Sequence, residues 1–140
     1  MWKGLLPARR VAGHCDSTSS PLTGAYGESE AGGYFGPELK AAGYEAIIVT
    51  GRAAAPVYLS IRDANVEIRD AGGLWGREPE EVQTAIRAEL GDSYVRVMQI
   101  GPGGENLVRY AALTNELAHF NGRTGMGAVM GSKNLKAIAV

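Results

Sequence analysis

The residues best suited to bind an anion lie in a glycine-rich segment between positions 121 and 136. This segment has four glycines within ten residues, three basic residues and no acidic one. The glycines are Gly122, Gly125, Gly127 and Gly131, and the basic residues are Arg123, Lys133 and Lys136. Glycines let a backbone come close to a ligand, and a partly buried bond from Arg123 to a phosphate contributes about 1.5–3 kcal/mol. The pattern favours a phosphate site, although a glycine-rich turn packed under strands has the same composition.

A second candidate is the turn at residues 30–34, which reads Glu-Ala-Gly-Gly-Tyr and precedes a predicted helix. Gly32 and Gly33 carry no side chains, so backbone N–H groups there are expected to be open to an anion, and the helix dipole adds about 0.3–1 kcal/mol. The same pattern is more common in plain loops that lead into a capped helix. On the local pattern alone, both interpretations stay open.

Two familiar nucleotide-binding motifs do not fit this sequence. A Walker P-loop requires Gly-Lys-Ser or Gly-Lys-Thr, whereas residues 131–133 read Gly-Ser-Lys and misplace the ammonium group. A dinucleotide fingerprint on Gly125 and Gly127 needs a third glycine at position 130, where the chain has Met130. We therefore exclude both classes of nucleotide site.

Catalytic side chains and thiolate metal sites find no support in the sequence. His14 and His119 lie far apart and in no catalytic spacing, so packed or solvated imidazoles are the preferred interpretation. Cys15 is the only cysteine, which excludes internal disulfides and any zinc site or iron–sulfur cluster built from this chain's own thiolates. No residue is assigned a catalytic role, and a reducing, cytoplasmic compartment is expected.

The bulk composition excludes other partners. Fourteen basic and fifteen acidic residues give a net charge of -1, so no global field attracts nucleic acid or an anionic membrane surface. No stretch approaches the roughly 20 apolar residues of a membrane span. With 140 residues, of which 45% are hydrophobic, the chain is long enough for one domain.

The elements that must position these sites predict an α+β fold, rich in strands and interrupted by a few short helices. Helices are predicted at residues 37–43, 79–90 and 128–130. Strands are predicted at residues 46–50, 57–61, 65–69, 94–100, 107–113 and 137–140, with residues 1–33 as loops around one short strand. The sequence ends inside an apolar strand, where termini are usually polar, so the native protein is expected to continue.

Four segments closely resemble the amino-terminal domain of aldehyde:ferredoxin oxidoreductases. They lie, in the family's order, at residues 20–24, 32–36, 101–106 and 127–137. The resemblance covers most of the chain from Ser20 to Val140, while the beginning of the family domain is mostly absent. It implies that residues 1–140 are an incomplete pterin-binding domain, without the cluster-binding and substrate domains.

The family resemblance implies a cofactor and a reaction. Such enzymes hold tungsten, or sometimes molybdenum, on two molybdopterins beside a [4Fe-4S] cluster, and a magnesium ion bridges the pterin phosphates through backbone carbonyls. They oxidise aldehydes to carboxylic acids and pass electrons to ferredoxin. The cluster cysteines and the aldehyde pocket lie in later domains, so the isolated chain is expected to bind no iron and to oxidise no aldehyde.

Carried over to this sequence, the resemblance implies cofactor-binding residues in both glycine bends and one further arginine. They are Arg10, Glu30, Ala31, Gly32, Gly33, Tyr34, Asn121, Gly122, Arg123, Gly125 and Gly127. The implied magnesium contacts are the backbone carbonyls of Glu30 and Asn121. Glu30 replaces a frequent asparagine of the family and adds negative charge beside a phosphate, and Thr124 replaces a frequent glycine.

Three functional hypotheses remain. The leading one is a truncated or split tungsten or molybdenum oxidoreductase, whose partners are ferredoxin, a small aldehyde, and the remaining domains or a partner chain. The second is a noncatalytic scaffold subunit that pairs through an open strand edge with a separate catalytic chain. The third is a free-standing phosphate-binding module. The leading hypothesis requires the bends at Gly32 and Gly125 to share one concavity in the folded chain.

Overall fold

The computed structural model describes residues 13–63 and 65–140. Its strands are β1 (Gly13–Ser19), β2 (Tyr26–Gly32), β3 (Val57–Arg62), β4 (Asn65–Asp70), β5 (Val97–Gln99), β6 (Leu113–Asn115), β7 (His119–Asn121) and β8 (Leu135–Ala139). Its helices are α1 (Phe35–Ala41), α2 (Pro79–Leu90), α3 (Pro102–Glu105) and α4 (Met126–Ser132), with a 3-10 turn at Gly72–Leu74. None of the helices in the described ranges is long and apolar enough to cross a membrane.

The strands form two sheets. β1 and β2 pair as an antiparallel hairpin, from Gly13 opposite Gly32 to Ser19 opposite Tyr26. The other six strands form a mixed sheet in the order β4-β3-β8-β5-β6-β7, in which β3 and β8 are parallel and the other neighbours are antiparallel. This arrangement, with short helices between the strands, confirms the predicted α+β class.

Strand β8 is the centre of the core. It lies between β3 and β5, and all five of its residues are buried. Ile138 belongs to a hydrophobic cluster on one face of the sheet, together with residues of α1 and α4 such as Leu39 and Met130. The cluster on the other face contains Val82 and Ile86 of α2. The sheet is therefore covered on both faces, which accounts for the burial of every residue of β8.

The sequence predicted the longer elements. Helix α2 begins at Pro79, where the Glu81 carboxylate accepts the Glu78 N–H at 3.2 Å, and ends at Gly91 with a φ of 68°. The predicted hairpin is β3 and β4, and the last predicted helix and strand are α4 and β8. The predicted strand at 94–100 is shortened to β5, and the predicted helix at 37–43 begins two residues earlier as α1.

Other predictions were wrong. Residues 46–50 form no strand, because their apolar pattern reflects packing of Ile47 and Val49 against the core while Ile48 is 88% exposed. Residues 107–112 turn instead of extending, since Leu107 has a φ of 56° and its N–H bonds to the Gly104 carbonyl at 3.0 Å. Helix α3, strand β7 and the full length of the β1–β2 hairpin were not predicted.

Lys136 lies at a β-bulge in the central strand. Val57 pairs with Leu135 and Tyr58 with Ala137, so Lys136 has no partner residue on β3. Its side chain is fully buried, its Nζ pairs with a Glu105 carboxylate oxygen, and it also donates to the Arg77 carbonyl at 3.1 Å. Lys136 is therefore engaged inside the protein and is not available to an anion, although the sequence had suggested that it was.

Removing the Lys136 ammonium alone leaves a buried, unpaired carboxylate. We expect Lys136→Met to lower the free energy of unfolding by about 3–5 kcal/mol, and the double variant Lys136→Met/Glu105→Gln to recover most of that loss. Lys40→Met is the control, because the Lys40–Glu45 pair is 69% and 82% exposed and contributes less than about 1 kcal/mol. Urea denaturation measures all three, and a double variant no more stable than the single one contradicts this account.

The buried phenol of Tyr58 makes the stability of the fold depend on pH above 10. Burial, reinforced by the Glu89 carboxylate, raises the pKa of Tyr58 from 10 to about 12. The unfolded chain loses the phenol proton near pH 10 and the native chain near pH 12, so the stability contribution is complete below pH 10 and is lost as the pH rises to 12. We expect the stability of the wild-type chain relative to Tyr58→Phe to fall by up to about 1.4 kcal/mol per pH unit in this range. A difference that does not change with pH argues against the shift.

Candidate functional site

Strand β2 carries one candidate bend at its end and lies against the other candidate segment near its middle. The side chain of Asn121 is fully buried, and its Nδ2 donates to the Ser29 carbonyl at 2.8 Å. The Arg123 N–H donates to Ser29 Oγ at 3.3 Å. Because Glu30 follows Ser29 directly, the structure brings together Glu30 and Asn121, the two residues implied as magnesium contacts.

The two candidate segments are in contact with different glycines at and after β2. A Cβ at Gly27, near the start of β2, would lie 2.6 Å from Cβ of Thr124, and one at Gly33 would lie 2.5 Å from Asn115 Oδ1. Six residues of extended chain separate Gly27 from Gly33, which is about 20 Å. Thr124 therefore contacts the start of β2, the Gly33 bend follows its end, and Asn121 and Arg123 reach Ser29 between them. That Gly32 and Gly125 share one concavity stays a prediction.

A network of polar side chains holds the Gly33 bend. Asn115 Nδ2 donates to the Gly32 carbonyl at 3.2 Å, and the Tyr34 N–H donates to Glu116 Oε2 at 2.9 Å. The other Glu116 oxygen pairs with Arg96 Nη1 at 2.8 Å. The Tyr34 N–H is thus not open to an external anion, because the carboxylate of Glu116 already occupies it.

The loop at residues 121–125 is more open. A Cβ added at Gly122 would have no neighbouring atom within 4 Å, and the side chain of Arg123 is exposed. In the part of the chain that the structure describes, the Arg123 guanidinium makes no hydrogen bond or ion pair. Lys133 Nζ instead donates to the Gly51 carbonyl at 3.2 Å. Arg123 is the available cation of the three that the sequence singled out.

Gly125 and Gly127 serve close packing inside the protein. Gly125 has a φ of 74°, and a Cβ there would overlap the Arg109 carbonyl oxygen. A Cβ on Gly127 would lie 2.5 Å from the Ala112 carbonyl oxygen. Any contact of these two glycines with a ligand must use backbone atoms on their other side.

The outward side of β2 is acidic. Glu28 and Glu30 are exposed there, while Gly27 and Ser29 between them are buried. An anion bound near Arg123 would meet these carboxylates unless a cation lies between them. No group of three or more His, Cys, Asp or Glu side chains suited to a metal occurs within residues 13–63 and 65–140, so a cation here would depend on backbone carbonyls and on the ligand itself.

The other candidate residues lie around the β1–β2 hairpin or precede it in the sequence. Arg10 lies outside the described residues. Ala31 pairs with His14 across the hairpin, and His14 contacts the ring of Phe35 with centroids 5.1 Å apart. The His14 side chain is 10% exposed and borders a cavity of about 660 Å³ between β1, α1 and the sheet. His119 lies beside the Gly33 bend, 2.8 Å from a Cβ placed there.

Arg96, Asn115 and Glu116 were missed in the sequence. They lie in or beside short strands, in segments whose local pattern gives no sign of a site, and they reach the Gly33 bend only through tertiary contacts. The one usable signal was the Gly32-Gly33 pair, which indicated a crowded bend without identifying its neighbours.

The chain is similar to known proteins in sequence and in fold. Residues 7–140 match the family "Aldehyde ferredoxin oxidoreductase, N-terminal domain". The tungsten-containing aldehyde ferredoxin oxidoreductase of Pyrococcus furiosus is 55% identical over 123 residues, which cover 88% of this chain and 20% of that protein. An aliphatic sulfonate oxidoreductase, WOR-like subunit, of the same organism is 45% identical over 115 residues, covering 74% of this chain and 18% of the relative.

A solved structure has the same fold. The active site complex BamBC of benzoyl coenzyme A reductase, in complex with 1,5-dienoyl-CoA, matches 96% of this chain and 20% of its own chain. The TM-score is 0.91 and the sequence identity is 42%. The chain thus spans about one fifth of the length of the relatives and of the structure that it matches.

Gly122 in the loop and Gly127 in α4 are expected to respond differently to an added methyl group. Gly127→Ala places a Cβ against the carbonyl of Ala112, and we expect a loss of about 1–3 kcal/mol or more in the free energy of unfolding. Gly122→Ala is the matched control, with an expected change within about 0.5 kcal/mol, because its surroundings are open. Thermal or urea denaturation decides, and equal effects at the two positions contradict the packing role of Gly127.

Proposed function

Because this chain belongs to the aldehyde ferredoxin oxidoreductase family and matches its N-terminal domain, we propose that it binds the phosphates of a tungsten–pterin cofactor. The proposed contacts are the segments 30–34 and 121–127, with Arg123 as the principal cation. Arg10, which precedes the described residues, is retained as a further proposed contact.

The names of the relatives support a role in holding the cofactor over a role in choosing the substrate. Proteins named for aldehyde, for aliphatic sulfonate and for benzoyl coenzyme A share this domain at 55%, 45% and 42% identity. A domain that is common to enzymes with such different substrates serves what they have in common. Two of the names also identify oxidoreductases, one of them tungsten-containing, which supports the same class for the protein to which this chain contributes.

The observation that carries the proposal is the guanidinium of Arg123, which has no partner within residues 13–63 and 65–140, beside the open backbone at Gly122. The Arg123 backbone N–H is fixed on Ser29, so the loop is already ordered beside β2 before any ligand binds. A preordered cation next to exposed backbone suits a phosphate, because little conformational freedom is lost on binding.

Magnesium fits the same place. We propose the backbone carbonyls of Glu30 and Asn121 as its protein contacts, since the hydrogen bond from Asn121 to Ser29 brings these two residues together. The exposed carboxylate of Glu30 favours a divalent cation between itself and a phosphate. The acidic side of β2, unfavourable for a bare anion, is then compatible with a magnesium–phosphate pair.

The tungsten–pterin group, or its molybdenum equivalent, would supply the redox chemistry when bound. The residues of this chain bind and orient it. We propose that the whole cytoplasmic enzyme oxidises a small aldehyde to a carboxylic acid and passes electrons through a [4Fe-4S] cluster to ferredoxin. The cluster and the substrate pocket would belong to other domains or to a partner chain, so that the isolated chain has no turnover.

A single charge change tests the phosphate site. We expect Arg123→Gln to weaken binding of magnesium pyrophosphate to the full 140-residue chain by about tenfold to a hundredfold, as loss of a charge-assisted hydrogen bond implies. Arg62→Gln is the control, because it removes the same charge from the distant β3–β4 turn. Isothermal titration calorimetry measures both, and equal affinities of Arg123→Gln and wild type overturn the proposal.

A further inference from the structure

Tyr34 is exposed to solvent, yet both its backbone and its ring are held by other residues. The side chain is 58% exposed, whereas the neighbouring Phe35 is 2% exposed and belongs to the core. The Tyr34 N–H is bound to Glu116, and the Arg96 guanidinium carbon lies 5.0 Å from the centre of the Tyr34 ring. One face of the ring is therefore supported by a cation while much of the side chain faces solvent.

The support is itself firmly held. Glu116 and Arg96 form an ion pair whose side chains are only 12% and 24% exposed. The backbone reaches this arrangement through left-handed conformations at Glu116 and Leu117, with φ of 53° and 59°. Non-glycine residues rarely adopt this conformation, and it persists only where surrounding contacts impose it.

Gly33 completes the arrangement. It has a φ of 97°, and a Cβ there would lie 2.6 Å from Glu116 Oε2 and 2.5 Å from Asn115 Oδ1. Only glycine lets the bend come close enough for the Glu116 carboxylate to reach the Tyr34 N–H. The Glu116 carboxylate and Gly33 thus fix the backbone of Tyr34, and the paired Arg96 guanidinium lies over its ring.

A fixed and exposed aromatic ring is a preorganised surface for stacking, because the freedom that binding normally removes is already lost. We propose that Tyr34 is a stacking platform for a planar heterocycle, the pterin ring of the cofactor, and that Arg96 and Glu116 are its positioning residues. This inference rests on the proposed function. It adds where the pterin ring binds, whereas the proposed function concerns where the phosphate binds.

The spacing along β2 is consistent with one ligand that spans both contacts. Arg123 is anchored at Ser29, and four residues of extended chain lead from there to Gly33, which is about 13 Å. A fused heterocycle with a phosphate-bearing arm has a comparable length. The ring then lies toward Tyr34 and the phosphate toward Arg123.

The test uses 6-hydroxymethylpterin, a pterin without phosphate, and the full 140-residue chain. Wild type and Tyr34→Phe are expected to bind it saturably, with an upfield ring-current shift of the pterin C7 proton in NMR spectra. Tyr34→Leu should lose that shift and weaken binding about tenfold or more, as removal of an aromatic stacking partner does. Tyr110→Leu is the control, an 82% exposed tyrosine on another loop, and should bind as wild type does.

A change at Arg96 tests the positioning role separately. Arg96→Lys keeps the charge but removes the planar group under the ring, so we expect weaker pterin binding and a smaller ring-current shift with unchanged pyrophosphate affinity. Arg123→Gln should show the reverse, which separates failure of the phosphate site from failure of the platform. Absence of a pterin shift in wild type, or equal pterin binding by Tyr34→Leu and wild type, overturns the platform. Circular dichroism confirms that each variant is folded.

Discussion

The structure depends on backbone-to-backbone contact between α3 and α4. A Cβ on Gly131 would overlap the Gly104 carbonyl oxygen, and one on Gly104 would lie 2.8 Å from the Gly127 carbonyl oxygen. This contact fixes α4, which follows the loop at residues 121–125 and precedes the central strand β8. Because interiors are close-packed, even one added methyl group has no place to go. Gly127, which looks like a ligand contact in the sequence, is first of all part of the contact between these two helices.

A second constraint is polar. The β1–β2 hairpin is a separate two-stranded sheet, and such hairpins are marginally stable alone. Two buried asparagines, Asn115 and Asn121, attach it to the larger sheet by donating to the backbone carbonyls of Gly32 and Ser29. A buried side-chain amide without a hydrogen-bond partner lowers stability, so such a group favours the one arrangement in which its partner is present. The register between the two candidate segments therefore depends on hydrogen bonds, which specify position more sharply than apolar contact does.

The sequence predicted what local pattern controls. Proline, acidic residues and glycine at the ends of α2, and alternation in β3 and β4, are signals within one element, and both predictions held. The predictions at 46–50 and 107–113 failed because an apolar pattern reports burial and says nothing about a pairing partner. The glycines and Arg123 could be proposed as site residues because backbone freedom and charge are visible in composition. Arg96 and Glu116 could not, because their role arises from contacts between residues up to 82 positions apart.

The place of β8 has a consequence for how the chain acquires its shape. β3 and β4 form one hairpin of neighbouring residues, and β5, β6 and β7 form a second local unit, but β8 alone lies between them. Contacts between β8 and β3 join residues that are almost eighty positions apart, and such long-range pairing forms slowly. During synthesis, the apolar faces of the two halves of the sheet stay uncovered until β8 has left the ribosome. A growing chain of this kind is exposed to aggregation in that interval.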